Sequence, residues 1–195
     1  MTYADGQLYG ASNSRLLVWT NAAKAGTFQA ADYVIGQSTP DSIVSGGTFN
    51  GVSLNQMSAG SNWLFAICGS SIFIFQTPFT QGGLNYPANK ILDGGAGNVK
   101  WADDSTSVYF SPSGLAYDAI SNALWVSDHQ CNRLLRIRDP ATTPRVDMVI
   151  GQTNKTNSAQ NHGLGLYATD ARGLAGPWSV ALDRYRNLRS EERRV

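Results

Sequence analysis

Gly114-Leu115-Ala116-Tyr117-Asp118, Ala123-Leu124-Trp125-Val126-Ser127-Asp128, Arg133-Leu134-Leu135-Arg136-Ile137-Arg138 and Val146-Asp147-Met148-Val149-Ile150-Gly151 follow one another with only polar or Pro-bearing turns between them. Short runs rich in Leu, Val, Ile, Tyr and Trp, bounded by turn residues, read as β-strands. No stretch of the chain carries a sustained apolar stripe at helical spacing with caps, so helix does not compete. Four short strands per unit is the content of a propeller blade. The sequence therefore predicts an all-β chain of four-stranded antiparallel blades.

Working outward, the fourth run belongs to a signature, Asp147-Met148-Val149-Ile150-Gly151-Gln152, that also stands 115 residues earlier as Asp32-Tyr33-Val34-Ile35-Gly36-Gln37. A degenerate copy, Ile91-Leu92-Asp93-Gly94, lies halfway, so the period is about 58 and marks a repeat architecture. Leu64-Phe65 follows Leu8-Tyr9 by 56 residues, and Leu124-Trp125 follows by a further 60. Leu16 to Trp19, Ile72 to Phe75 and Leu134 to Ile137 recur with them. The repeat units run from about 1 to 51, 52 to 113 and 114 to 176, and a further one starts over 177 to 188. Asp5-Gly6-Gln7-Leu8-Tyr9 reads as a turn into a second strand, so the chain opens inside a blade. The period exceeds the roughly 40 to 45 of WD40 and the roughly 50 of kelch repeats. The excess lies in the connections between units; the longest, Gln152 to Gly176, is rich in Asn, Gly, Ser and Ala, and a loop of that length is either functional or mobile.

Phe110-Ser111-Pro112-Ser113-Gly114-Leu115-Ala116-Tyr117-Asp118, followed by Asn122-Ala123-Leu124-Trp125-Val126-Ser127-Asp128-His129-Gln130-Cys131-Asn132-Arg133-Leu134, resembles an NHL repeat. In that family a Pro-x-Gly-hydrophobic strand ends in Asp, a second hydrophobic strand ends in Asp, and Asn-Arg or Asn-x-Arg enters the third. Gly176-Pro177-Trp178-Ser179-Val180-Ala181-Leu182-Asp183 begins another copy, and Asn13-Ser14-Arg15-Leu16 with the Val34-Ile35-Gly36-Gln37 strand is similar to the later part of one. The motif residues on this resemblance are Asn13, Arg15, Asp118, Asp128, Asn132, Arg133 and Asp183. The second unit departs from it, with Cys68-Gly69-Ser70-Ser71-Ile72 where Asp and Arg are expected, and should lack the polar turn lock. The resemblance implies a propeller of roughly six blades, of which this chain supplies about three. An open arc of blades exposes apolar faces and should be poorly soluble or oligomeric alone, the remaining blades of the same propeller being its natural cover. It also implies an exported protein, extracellular or periplasmic, although MTYADGQLYG has neither the basic nor the apolar region of a signal peptide.

The motif has a structural purpose in the first place. Asp128 and Arg133 are placed to pair across a tight connection whose backbone groups would otherwise go unsatisfied. Pro112 and Pro177 precede an innermost strand, where a missing N–H costs least. Arg133, Arg136 and Arg138 are expected to be balanced by Asp128 and Asp139. Cys68 and Cys131 fall in second-to-third-strand turns of adjacent units, which does not make a disulfide framework, and no CxxC or Cys/His cluster suggests zinc.

Apolar residues make up 42% of the chain and charged residues 15%, enough apolar material to form layers between blades, and no run approaches a membrane span. The last seven residues, Arg189-Ser190-Glu191-Glu192-Arg193-Arg194-Val195, break the repeat where a strand such as Leu-Tyr-Val is due. They match the translation of AGA TCG GAA GAG CGT CGT GTA, similar to the start of a widely used sequencing adapter, so the native segment is expected to end at Leu188. Without them the chain carries 12 basic and 12 acidic residues. That neutrality argues against a nucleic-acid partner, which needs a basic stripe against phosphates.

Two functional classes remain. A binding scaffold would use the connections around Thr39 to Thr48, Gly95 to Thr106 and Asn154 to Arg172 as one face for a protein or glycan. Trp101, Tyr109, His162, Tyr167 and Trp178 are its candidate ligand-face residues, since aromatics on loops over a rigid scaffold suit recognition. Packing is the competing reading for each. The alternative is an enzyme, since some six-bladed propellers similar to this one are lyases, lactonases or other hydrolases with a metal, calcium or zinc, in the central channel. The two histidines do not favour it: His129 falls in a turn, where exposure to solvent is expected, and His162 in the longest loop. No catalytic residue or cofactor site is assigned from the sequence. Asn154-Lys155-Thr156 is a glycosylation sequon that matters only in a secreted eukaryotic protein.

Overall fold

Asp5 and Gly6 both adopt left-handed backbone, φ 53° and 80°, the geometry that a tight hairpin matching strand twist requires. They fold β1 (Thr2–Ala4) back on β2 (Gln7–Ser12). Asn13, at φ 52°, turns the chain into β3 (Arg15–Trp19), and β4 (Tyr33–Ile35) completes a four-stranded antiparallel sheet in chain order. The next sheet repeats the plan with β5 (Leu54–Gly60), β6 (Trp63–Cys68), β7 (Ser71–Gln76) and β8 (Lys90–Asp93). Ser61 and Asn62 supply its left-handed turn, at φ 47° and 65°. The degenerate signature at residues 91 to 94 thus falls on a fourth strand.

This computed structural model describes residues 1–21, 29–39, 47–165 and 171–192, and the chain divides into two compact units, residues 1–91 and 92–195. The core of the first unit joins Tyr9, Leu16, Val18 and Ile35 of one sheet to Leu54, Leu64, Ala66 and Phe75 of the next. Phe49 and Phe79, from connections, close it, and Phe79 meets Tyr9 edge-on at 5.9 Å. Alternation selects these residues: along β3 Leu16 and Val18 are buried while their neighbours are half-buried, as expected of a strand with one face inward.

In the second unit β11 (Pro112–Asp118), β12 (Ala123–Asp128), β13 (Arg133–Arg138) and β14 (Arg145–Ile150) form the predicted antiparallel set. The sheet does not stop at four strands. The stretch Gly95 to Thr106, expected as a loop, contains β9 (Val99–Trp101), which with β10 (Ser107–Val108) makes a hairpin added in parallel to the outer edge of β14. Val99 and Trp101 explain the correction: on alternate positions of three residues, both turn inward and are buried. A further hairpin, β15 (Pro177–Leu182) with β16 (Leu188–Glu192), packs its Val180 on Ala116, Trp125 and Leu134. Arg189 to Glu192 therefore occupy the second-strand position of that hairpin, but with largely exposed side chains where every residue of β12 is buried. The chain is all-β and built of antiparallel propeller blades.

Candidate functional site

In the two copies of the D-x-V-I-G-Q signature Gly and Gln do the same local work, and Asp does not. Asp147 is an extra residue in β14, since Arg136 faces Met148 and Ile137 faces Val146. This bulge aims its carboxylate at Arg136, which donates through Nε and a terminal nitrogen at 2.8 and 2.9 Å. Asp32 instead accepts from the amide and hydroxyl of Thr20 at 2.7 and 2.9 Å, and those bonds, the amide first, hold its carboxyl below the usual range. Gly36 and Gly151 share φ near 91° and 95°. A Cβ would lie 2.5 Å from the Phe49 ring in one and 2.7 Å from Leu174 in the other. Gln37, buried, donates to the Ser14 hydroxyl at 3.3 Å. Gln152 donates to the carbonyls of Asn132 and Ala159 at 2.9 and 2.8 Å. In both copies Gln ties the fourth strand to the turn between the second and third.

Arg133 is the hub of the second unit. Its Nε donates to Asp128 Oδ2 at 2.8 Å, and its two terminal nitrogens donate to the carbonyls of Lys155 and Tyr109 at 2.6 and 2.8 Å. Asp128 Oδ1 accepts the Ser111 amide at 2.9 Å. The guanidinium also lies 5.8 Å from the Trp101 ring centre. One buried cation thus joins the end of β12, the segment after β10 and the long loop after β14. That loop is held a second time by Lys155, which binds Asp103 at 3.1 Å, pairs with Asp104 and lies 5.6 Å from the Trp101 ring centre. Hydrogen bonding from Lys155 first, then from Thr106, lowers the Asp104 carboxyl to about 2. Arg136 and Arg138 are met by Asp147, the second at 3.7 Å, and not by Asp139. Asp139 accepts instead from Asn122 Nδ2 at 2.8 Å.

The remaining motif residues latch hairpins to their neighbours. Asp118 ends β11 and accepts from the Ser121 hydroxyl at 2.6 Å and from Arg186 Nε at 2.9 Å, across to the β15–β16 turn. Burial raises its pKa, but the bonds from Ser121, Arg186 and the amides of Ser121 and Ile120 outweigh that and hold it below the usual value. Asp5, at the equivalent end of β1, accepts from the Asn62 amide in the β5–β6 turn and from Thr77 Oγ1, at 3.2 and 2.6 Å. Asp183 folds its own turn by accepting from Tyr185 and Asn187 amides, both at 2.9 Å. The carbonyl of Asn13 takes the Leu54 amide at 2.8 Å, and Asn132 Oδ1 takes that of Gly176 at 2.7 Å. Arg15 starts β3 as Arg133 starts β13, half-buried. In the second blade the thiol of Cys68 approaches the carbonyls of Phe49 and Val52 at 3.8 and 3.7 Å in place of the Asp–Arg lock. Both cysteines are free.

Of the candidate ligand-face residues, Tyr109 and Trp178 are exposed, at 61% and 46%. Trp178 is the extra residue of a bulge in β15, between Pro177 and Ser179, which turns its ring out against the edge of His129 at 5.3 Å. His129 is consequently half-buried and not the exposed turn residue expected, and its Nδ1 is shut from solvent with no hydrogen-bond partner among the described residues. Trp101 is buried under Arg133 and Lys155, so it shapes the surface through them. His162 is half-buried in a short 3-10 turn, Gln160–Gly163. Tyr167 lies outside the described residues. A groove of about 220 Å³ runs along β14, lined by Trp101, Ala102, Asp103, Met148, Val149 and Lys155. Sequence reading missed Lys155 and Arg186; Asp103-Asp104 offered a signal for the first, and a left-handed φ of 66° at Arg186 left none for the second. Among the described residues no three His, Cys, Asp or Glu side chains are grouped to hold a metal ion, and no helix is long and apolar enough to cross a membrane.

No family model and no curated protein matches this sequence. Solved structures similar to it include an auxiliary nutrient binding protein from Bacteroides thetaiotaomicron, 11% identical over 93% of this chain and 41% of that one, with a TM-score of 0.49. The WD40 repeats of RRP9 are 11% identical over 96% and 58%, with a TM-score of 0.44. Glutaminyl cyclase of Myxococcus xanthus is 12% identical over 97% and 82%, with a TM-score of 0.32. The chain thus spans less than two thirds of the first two.

Proposed function

We propose that this chain is part of a binding scaffold of NHL-repeat propeller type, taking a protein or glycan ligand on the connections between its blades. The observation that carries the reading is the Arg133 hub, which fixes two such connections through the carbonyls of Tyr109 and Lys155. Fixing a loop before binding removes part of the ordering cost of recognition, and the hub leaves the Tyr109 ring free. Beside it His129 supports the exposed ring of Trp178. Rigid aromatics of this kind bring large contact area at low entropic cost.

The test uses peptide and glycan arrays as probes. A ligand bound by the chain should lose at least about tenfold in affinity in Tyr109→Ala/Trp178→Ala, with unchanged melting. Undiminished binding in that variant would remove the proposed face. Metal analysis of the intact protein addresses the enzyme alternative, for which stoichiometric calcium or zinc is the expected result.

A further inference from the structure

Two hairpin tips at one end of the second unit carry large apolar side chains that the fold leaves in solvent. Ile120, in the β11–β12 turn, is 80% exposed, and Tyr185, in the β15–β16 turn, 69%. The corresponding tips of the first unit, Asp5-Gly6 and Ser61-Asn62, hold no apolar residue. One carboxylate brings Ile120 and Tyr185 to the same place: Asp118 accepts the Ile120 amide at 3.1 Å and Nε of Arg186, the residue after Tyr185, at 2.9 Å. The turns do not need these side chains for their shape. They are closed by Asp118 and Asp183 and by left-handed Asn122 and Arg186, at φ 47° and 66°.

The charges at this end are sorted by depth. The carboxylates turn inward to close turns, Asp118 on Ser121 and Arg186, Asp139 on Asn122, Asp183 on the Tyr185 and Asn187 amides. Arg138, Arg145, Arg184 and Arg186 are exposed. Arg138 and Arg145 stand directly opposite each other across β13 and β14, a like-charged pair that works against the sheet. Arg184 lies over the Tyr185 ring, 4.5 Å from its centre. Among the described residues neither Arg145 nor Arg184 meets a carboxylate. Beside Ile120 opens a pocket of about 220 Å³ lined by Ser121, Ala123, Arg136 and Arg138. Arg136 is closed on Asp147 by two hydrogen bonds, so Arg138 supplies the pocket's available cation. A packed neighbouring blade leaves this position open: in the first unit Thr20 stands where Arg138 does, and it is exposed although the second sheet covers Val18.

We infer that this end of the second unit docks on an anionic phospholipid surface, with Ile120 and Tyr185 entering the boundary between headgroups and acyl chains and Arg138, Arg145 and Arg184 meeting the lipid phosphates. Exposed apolar tips suit any apolar partner; cations standing around them select a negatively charged interface. A tyrosine, apolar in its ring and polar at its hydroxyl, belongs at that boundary, and arginine stems lie along apolar surface while their heads reach the phosphates. Two such signals together hold a protein to a bilayer where one alone is marginal. Arg133 and Trp178 lie at the opposite ends of β13 and β15, so docking leaves the ligand face proposed above turned to solvent, and the inference does not rest on it.

The test sediments the intact chain with vesicles of phosphatidylcholine and phosphatidylserine in equal parts, and with vesicles of phosphatidylcholine alone. Partition to the first should exceed that to the second by at least about tenfold, and the difference should shrink as salt is raised. Arg138→Gln/Arg184→Gln should lower partition to the mixed vesicles by about tenfold. Ile120→Ser should lower it as well, both variants melting as the parent does because the replaced side chains are exposed. Ile120→Trp should raise it, a gain that misfolding cannot imitate. No binding to the mixed vesicles, equal binding to both kinds, or undiminished binding in either loss variant would overturn the inference. So would retention on polyglutamate that rivals the vesicles and is unaffected by Ile120→Ser, since the partner would then be an acidic protein.

Discussion

Arg133 and Asp128 form an ion pair with Nε 2.8 Å from Oδ2, their side chains 5% and 0% exposed, and each terminal nitrogen of the guanidinium donates one bond, to the Lys155 and Tyr109 carbonyls. A partner on each of the three nitrogens matters more than the attraction itself. A buried pair roughly offsets its own desolvation, but removing one partner strands the other charge. Asp128→Ala should therefore destabilise the chain by about 3–5 kcal/mol, measured by denaturant unfolding. Arg133→Lys should recover only part of the loss in Arg133→Ala, because an ammonium cannot reach Asp128 and two divergent carbonyls in one plane.

The glycines of the signature separate backbone strain from collision. Gly6, Gly36 and Gly151 are all left-handed, at φ 80°, 91° and 95°. An added Cβ on Gly6 meets nothing, but on Gly36 it meets the Phe49 ring and on Gly151 the Leu174 side chain. Gly6→Ala should cost about 1 kcal/mol from conformation alone. Gly36→Ala should cost some 1–3 kcal/mol more as the core is forced to shift. Equal melting temperatures for Gly6→Ala and Gly36→Ala would show that Phe49 yields freely.

Acid should loosen the latch between β11 and the β15–β16 turn. The Asp118 carboxyl titrates below its unfolded value of about 3.9. Its contribution is present above that value and disappears as pH falls through the folded pKa, because the unfolded chain takes the proton more readily. Melting temperature followed downward from pH 5 should fall less steeply in Asp118→Asn than in the parent. Parallel curves would mean that other carboxylates carry the acid response.

Much of this fold was legible because it rests on local pattern. Strands such as Ala123–Asp128 are apolar runs closed by turn residues, and the Asp128–Arg133 lock is marked by adjacent motif positions. What escaped the reading depends on residues far apart in the chain. Val99-Lys100-Trp101 is too short to announce a strand, and it becomes one only because β14 offers an edge. Trp101 looked like a loop aromatic for the same reason, and His129 looked exposed because nothing local places Trp178 over it. The two copies of Val-Ile-Gly-Gln are alike in sequence, so nothing local tells the buried Ile35 from the exposed Ile150.

Alkali should act on the first unit through Cys68. Burial pushes its thiol up to about 11, and it contacts the Phe49 and Val52 carbonyls within the core. The unfolded thiol ionises near 8.5, so the folded state loses relative stability as pH rises past that value, the loss growing until the folded pKa is reached. In the native protein at pH 8 almost no thiolate exists there, and the thiolate is the reacting species. Cys68 should therefore resist an aromatic disulfide reagent at pH 8 until denaturant opens the first unit, and its labelling rate should then follow unfolding. Rapid labelling of Cys68 without denaturant, identified by peptide mapping, would mean that this turn opens independently of the Phe49 core.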